Sequence, residues 1–272
     1  MRRLLSCIIA LLLLLPGLSE AQVYTQRMEE AVSQGDTALQ RKILREWLFE
    51  WPADPDRMLA QSAFNKQQYT TETDSTARAA YLAESLAQIQ TAKRDFPDRL
   101  DIRFAYIALL GEQGNYDMYT TEILDLLDTH DRIGTDWLWR NNNKLSDVDS
   151  FVRQYVDMYT LLMYNTKNDA LLPLMDTISH RMLESRPDYV PALMSLSINA
   201  QREQDYPSAI AYLERAKTAE PGNTSVWDNL GLAYEKMGDT ASAIASYEEI
   251  RKIGNEQEKA YATRKLQELG QP

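Results

Sequence analysis

Chemistry at a protein site needs a nucleophile, a base or a ligand set, and this chain offers few of them. Its histidines are His130 and His180 alone, and its one cysteine is Cys7. His130 follows Asp125 and Asp128 and precedes Asp131, a run of oxygens that hints at a cation. The spacing fails the calcium loop, which alternates oxygen ligands around a glycine at a fixed place. His130 therefore reads as a solvated helix end. His180, between Ile178 and Met182, reads as structural or surface. A phosphate-cradling glycine loop, a Gly-x-Ser-x-Gly elbow and a His-Glu-x-x-His helix are all missing from the sequence. Carboxylates abound, but nothing in one sequence selects a pair at acid/base distance. The expectation is a non-enzyme with no catalytic residue, no metal and no cofactor.

Two other groups could act by binding. Trp137 and Trp139 stand in Asp136-Trp137-Leu138-Trp139-Arg140, just before Asn141–Asn143. Tryptophan and arginine dominate many protein interfaces, so both rings are candidate contacts. The competing reading packs them inside, sealing a break between two blocks of the chain. Asn223-Thr224-Ser225 is formally a glycosylation sequon, but it reads better as a turn that caps the helix starting near Ser225.

The elements that would position such residues follow a 34-residue beat. Val190–Asn223 has Ala209, Ala216 and Pro221 at positions 20, 27 and 32 of that frame. Thr224–Gln257 continues it with Trp227, Leu230, Gly231, Tyr234, Gly238, Ala243 and Tyr247 at positions 4, 7, 8, 11, 15, 20 and 24. Backward extension gives Val156–Tyr189, with Met182 and Pro187 at positions 27 and 32, then Leu100–Ile133, with Gly114 at 15. Ala21–Asp54 carries Gly35, Leu44, Trp47 and Pro52 at 15, 24, 27 and 32. Gly35-Asp36-Thr37-Ala38 recurs as Gly238-Asp239-Thr240-Ala241 at the same place. The physics is legible: glycine at 15 allows the left-handed turn that ends a first helix. The Asp or Thr after it can cap a second helix, and proline at 32 stops that helix.

These residues and spacings resemble the tetratricopeptide repeat, a helix–turn–helix unit whose large residues fill pockets left by small ones. The resemblance implies an all-α, right-handed solenoid closed by a C-terminal capping helix. That helix is expected over Gln257–Leu269 with Ala260, Tyr261, Leu266 and Leu269 inward. Irregular insertions are expected near Pro55–Asn65 and Gly134–Tyr155, with helices at Asp56–Gln68 and Ser75–Asp95 and no strand. The expected domains are residues 22–133, an insertion at 134–155, and a C-terminal block at 156–272.

In that family the first helix of each repeat lines a concave groove through positions 2, 5, 9 and 12. Carried onto this sequence, these are Asp157, Thr160, Tyr164 and Lys167, then Pro191, Met194, Ile198 and Gln201, then Ser225, Asp228, Leu232 and Glu235. Tyr164, Met194, Ile198 and Leu232 form an apolar patch, with Gln201 beside it and an acidic rim from Asp228 and Glu235. Such a lining suits an apolar or basic peptide. The family's clamp for a C-terminal carboxylate is not reproduced: Asn229 and Lys259 match its pattern, but Met194, Ile198 and Thr263 do not.

Met1-Arg2-Arg3 followed by the apolar run Leu4–Leu15 and small residues at Ser19 and Ala21 has the form of a signal peptide. Cleavage is expected after Ala21. Cys7 lies in that leader, so the remaining chain has no disulfide, Cys-zinc site or thiol nucleophile. The whole chain has 29 Lys and Arg against 40 Asp and Glu; loss of two arginines and Glu20 leaves 27 − 39 = −12. That charge argues against nucleic acid, which needs a basic surface. The expected function is an exported scaffold for a protein or peptide partner, periplasmic or peripherally attached to the envelope. The alternative is a permanent subunit of an envelope or secretion assembly.

Overall fold

The computed structural model describes residues 20–271; the leader expected at 1–21 lies, but for its last two residues, outside them. The described residues form helices α1 (Glu20–Ser33), α2 (Thr37–Glu50), α3 (Pro55–Thr71), α4 (Ser75–Asp95), α5 (Leu100–Glu112) and α6 (Tyr116–Ile133). A minimal hairpin follows, β1 (Leu138–Trp139) and β2 (Asn143–Lys144). The rest is helical: α7 (Val148–Asn165), α8 (Leu172–Ser185), α9 (Val190–Arg202), α10 (Tyr206–Ala219), α11 (Thr224–Met237), α12 (Thr240–Ile253) and α13 (Glu256–Glu268). Helices α1 to α5 pack in succession, and so do α8 to α13, with α1 on α3 and α9 on α11 as well, as tandem helical hairpins do. The fold is an all-α solenoid of helical repeats.

The punctuation works as its chemistry requires. Gly35, Gly114 and Gly238 sit at φ 66°, 70° and 80°, the left-handed region that a residue with a Cβ resists. Asp36 and Asp239 then accept from the amides of Leu39 and Ser242 at 2.9 and 3.1 Å, satisfying donors that a helix start leaves open. Asn223 likewise caps α11 by accepting from Ser225 N at 3.1 Å. The first expected insertion is not irregular: Asp54 caps α3 and Pro55 opens it, so the segment is helical from its start.

The chain divides into two compact units. One comprises residues up to Asn115 plus Ile133–Val148; the other comprises Tyr116–Arg132 and the chain from Asp149 onward. Helix α6, grouped by the repeat frame with the N-terminal block, thus falls in the second unit. There Tyr119 packs edge-on against Tyr159, their centroids 5.6 Å apart, and donates to the Tyr159 carbonyl at 2.9 Å.

In the first unit, Tyr24 stacks on Trp47 above a core that includes Ile43, Leu44 and Phe64. Helices α3 and α4 touch through serines: Ser85 donates to the Ser62 carbonyl at 2.9 Å, and the two hydroxyls meet at the same distance. Arg99 is fully buried and joins three segments, donating to Asp56 at 2.8 Å, Asp101 at 2.8 and 2.9 Å, and Asn142 at 3.3 Å. Burial works against its charge, yet the bonds to Asp101 and Asp56 hold its pKa above the ordinary value.

The hairpin corrects the expectation of no strand. Asn141 and Asn142 take φ 56° and 55°, which asparagine tolerates, and the chain reverses over them. Asn141 N also donates to Asp56 at 3.1 Å, so the reversal is tied to the arginine cluster.

In the second unit, a Cβ added to Gly231 would lie 2.6 Å from Cζ of Tyr247, a distance no real side chain keeps. The ring is pinned because its hydroxyl bonds Glu235. Position 8 of the repeat is small because position 24 is large. Helix α13 covers the end, with Ala262 and Leu266 fully buried and Tyr261 and Leu269 packed beside them. Ala260, expected inward, is exposed: the i, i+4 pair 262/266 defines the inner face.

Gly231→Ala should therefore destabilise the protein. Overpacking costs about 1–3 kcal/mol, and the better helix propensity of alanine returns about 1 kcal/mol. In a Tyr247→Leu background the same change should become neutral or stabilising. A double-mutant cycle by chemical denaturation measures this coupling; additive effects would show that the two side chains do not compete for space.

Candidate functional site

Six of the expected groove residues converge in one place. Asp157, Thr160 and Tyr164 on α7 and Pro191, Met194 and Ile198 on α9 line a cavity of about 210 Å³, floored by Met175, Ser179 and Met182 of α8. The convergence follows from helical spacing: residues three and four apart share a face, and α9 packs against α8. Met194 and Ile198 are half-buried and Pro191 exposed, so the walls reach solvent. Leu161 extends the wall at 55% exposure, while Tyr164 is 36% exposed beneath the guanidinium of Arg202, 5.4 Å from its ring centre. Arg202 is itself paired with Asp169.

One carboxylate stands in this apolar setting. Asp157 receives a hydrogen bond from the Tyr189 hydroxyl and, among the described residues, forms no ion pair. The cation one helical turn before it, Arg153, turns the other way and donates to Asp149 at 2.9 and 3.1 Å. Burial pushes Asp157 up to about 6, with Tyr189 and Arg153 only partly opposing. Asp149 moves oppositely, held down to about 2 chiefly by Arg153, with His130 and Arg186 adding to the effect against burial. Two more polar atoms of the cavity lining, Ser195 Oγ and Asn199 Oδ1, are buried without a partner. Asn199 spends its amide on Asp176, donating at 2.8 Å.

The other expected contacts lie elsewhere. Lys167 and Gln201 do not line this cavity, Lys167 being exposed and Gln201 half-buried. Asp228 accepts from Tyr261 at 2.7 Å, and Glu235 accepts from Lys265 at 2.7 Å and from Tyr247. Burial raises Asp228 despite Tyr261; in Glu235 burial also pushes upward, but Lys265 and Tyr247 together bring it below the usual range. The acidic rim is thereby engaged with the capping helix, and Leu232 lies half-buried between them on α11. Ser225, at the start of α11, is exposed.

Trp137 cannot be a surface contact: it is fully buried with the Arg103 guanidinium 5.4 Å from its ring centre. Trp139 is half-buried and meets Phe104 edge-on at 6.2 Å. Both serve to seat the hairpin on α5. His130 is also corrected, from a solvated helix end to a buried ring 3.1 Å from Asp149. His180 is exposed against Tyr212.

Sequence reasoning missed Asp157 as the acid of the site, although it stood at position 2 of the frame. It also missed Ser195 and Asn199, which no periodic signal marks. Among the described residues, no group of three or more His, Cys, Asp or Glu could hold a metal ion. No helix among them is long and apolar enough to cross a membrane.

Residues 167–271 match the model of the bacterial transcriptional activator domain. No curated protein sequence matches the chain. Among solved structures, it is similar to a tetratricopeptide repeat protein from Parabacteroides merdae, with 15% identity, 86% of this chain and 80% of that one covered, and a TM-score of 0.44. PilW, described as a type IV pilus biogenesis factor, aligns at 11% identity over 90% of this chain and 99% of its own, with a TM-score of 0.46. YrrB, described as a tetratricopeptide repeat protein with an unusual peptide-binding site, aligns at 12% over 81% and 97%, with a TM-score of 0.43. The molecule itself shows helical hairpins in tandem, of which those around Gly35-Asp36 and Gly238-Asp239 are ended by glycine and restarted by an aspartate cap. Their fold is that of helical hairpin repeats.

The raised pKa of Asp157 has a consequence for stability. A carboxyl whose folded pKa exceeds its unfolded value of about 3.9 stabilises the fold below that value, and the contribution is lost as pH rises through about 6. Asp157→Asn should then raise the melting temperature at pH 7.5 and change it little at pH 4. The solvent-discounted gain is on the order of 1 kcal/mol. Melting curves across that range check this; a variant equally or less stable at pH 7.5 would show that the ionised carboxylate is not held at a cost.

Proposed function

We propose that this protein is an exported, non-enzymatic scaffold that holds a protein or peptide partner in the cleft between α7, α8 and α9. The observation that carries the reading is the cleft itself. Apolar walls open to water at Leu161, Tyr164, Met194 and Ile198, where a monomer with no ligand would gain by closing them. A volume of about 210 Å³ is small beside the several hundred Å³ of a typical small-molecule site. It suits one or two side chains of a longer ligand. Export rests on the form of residues 1–21, and the acidic balance leaves nucleic acid a poor partner. Periplasmic residence, with peripheral attachment to the envelope, is the setting that such a leader suits.

A second reading, a permanent subunit of an envelope assembly, is favoured by one observation. Phe49 is 88% exposed at the end of α2, with Leu48 and Trp51 beside it at 47% and 39%. That patch, on the first unit, is apolar enough to bury against a fixed neighbour.

The two readings separate in one experiment. Met194→Asp with Ile198→Asp should cut partner recovery from the native host by at least about tenfold, or about 1.4 kcal/mol. A charge in the cleft desolvates badly against an apolar ligand yet stays hydrated in the free protein, so melting should hardly change. Recovery that survives this change but is lost with Leu48→Ser and Phe49→Ser would replace the cleft reading with the fixed-subunit one. A double variant that melts far below the wild type would place Met194 and Ile198 in the core.

A further inference from the structure

We infer that the cleft between α7 and α9 selects a long basic side chain, lysine or arginine, of an extended peptide: its aliphatic stem lies on Met194 and Ile198, and its cationic head reaches Asp157. This rests on the cleft being the binding site and adds the chemistry of what enters it.

Three observations converge. The first is an acid without a counterion: among the described residues Asp157 has only the Tyr189 hydroxyl, and its neighbour Arg153 is committed to Asp149. A carboxylate kept ionised and partly buried without a cation costs the fold stability, which a cationic ligand would restore. The second is the pair of unpaired lining atoms. Asn199 is 1% exposed and leaves Oδ1 without a donor; Ser195 Oγ is also unpaired and can accept. With Asp157 they place several acceptors in the cleft, and the Asn199 amide already donates to Asp176, an arrangement that suits an ammonium or guanidinium group. The third is the apolar wall. Methionine and isoleucine suit a methylene chain, and lysine and arginine bury their stems while directing the charged head to polar groups.

The charges around the cleft fit this assignment. Asp176 on α8 lies behind Asn199, adding negative potential. Arg202 on α9 is already engaged by Asp169, Arg153 by Asp149, and Arg186 reaches Asp149 at 3.1 Å. Arg153, Arg186 and Arg202 are thus each engaged by a carboxylate other than Asp157. An anionic side chain would meet Asp157 in repulsion, and a purely apolar one would leave it unpaired.

The test uses the full chain with ¹³C-labelled methionine methyls, of which Met175, Met182 and Met194 report on the cleft. Three probes are titrated at pH 7.5: Nα-acetyl-lysine amide, Nα-acetyl-arginine amide and Nα-acetyl-norleucine amide, which keeps the lysine stem without its charge. The expected result is saturable shifts of those methyls, with at least one basic probe about tenfold tighter than norleucine amide. Asp157→Asn, whose folding the melting curves above check, should erase that preference and leave norleucine binding unchanged. Equal or tighter binding of norleucine amide, or a basic preference that survives Asp157→Asn, would overturn the inference while leaving the cleft as a holder of apolar peptide. Shifts with none of the probes would overturn it as well. Whether the cleft holds a partner at all is decided separately by recovery with the Met194/Ile198 double variant.

Discussion

The close approach of Gly231 to the Tyr247 ring fixes how far apart the paired helices of a repeat can lie, and much else follows from that distance. A tyrosine held 2.6 Å from where a Cβ would stand leaves no room for any other residue at position 231 without movement. The buried ring in turn places its hydroxyl on Glu235, which also binds Lys265 of the capping helix. One steric constraint thereby joins α11, α12 and α13. Such stacking buries each helix against its sequence neighbours, so stability accrues unit by unit. It also leaves one face of α7 and α9 uncovered, because no third helix is called for by the repeat.

The repeat was legible in the sequence wherever backbone chemistry dictates residue type. Gly35 and Gly238 had to be glycine for their left-handed turns, and Asp36 and Asp239 had to offer an oxygen to the next helix. Helices α3 and α4 were placed within a few residues by the same signals. Other features were hidden because they depend on contacts far apart in the chain. Arg99 reads as an ordinary surface arginine until Asp56, 43 residues earlier, and Asn142, 43 residues later, are brought to it. The Asn141–Asn142 reversal joins strands of two residues each, Leu138–Trp139 and Asn143–Lys144, too short for any alternating pattern. Trp137 and Trp139 stood out in the sequence as candidate contacts, but the structure buries Trp137 against Arg103 and sets Trp139 against Phe104.

The site was half readable. The groove positions implied by the repeat resemblance put Tyr164, Met194 and Ile198 together, and the structure has them lining one cavity. The electrostatics could not be read this way. Asp228 and Glu235 stood at groove positions in the repeat frame, but Tyr261 and Lys265 arrive from the capping helix to engage them. Asp157 stood at a groove position in the sequence, but nothing there marked it as the acid without a counterion, since Arg153 lies one helical turn before it. The structure spends that arginine on Asp149, and Asp157 is left with a hydroxyl. Which member of an acidic surface stays unpaired is a property of packing, not of composition.

The central claim, that the α7–α9 face is where a partner sits, is tested most directly by placing a photo-crosslinking residue there in the native host. Leu161, exposed at the cleft wall, is one position; Phe49 and Glu249, exposed and half-buried on other helices, are controls. The account predicts a discrete adduct from position 161, lost when Met194 and Ile198 are made acidic, and none of that mass from 49 or 249. The same adduct from position 49 or 249, with none from 161, would contradict it.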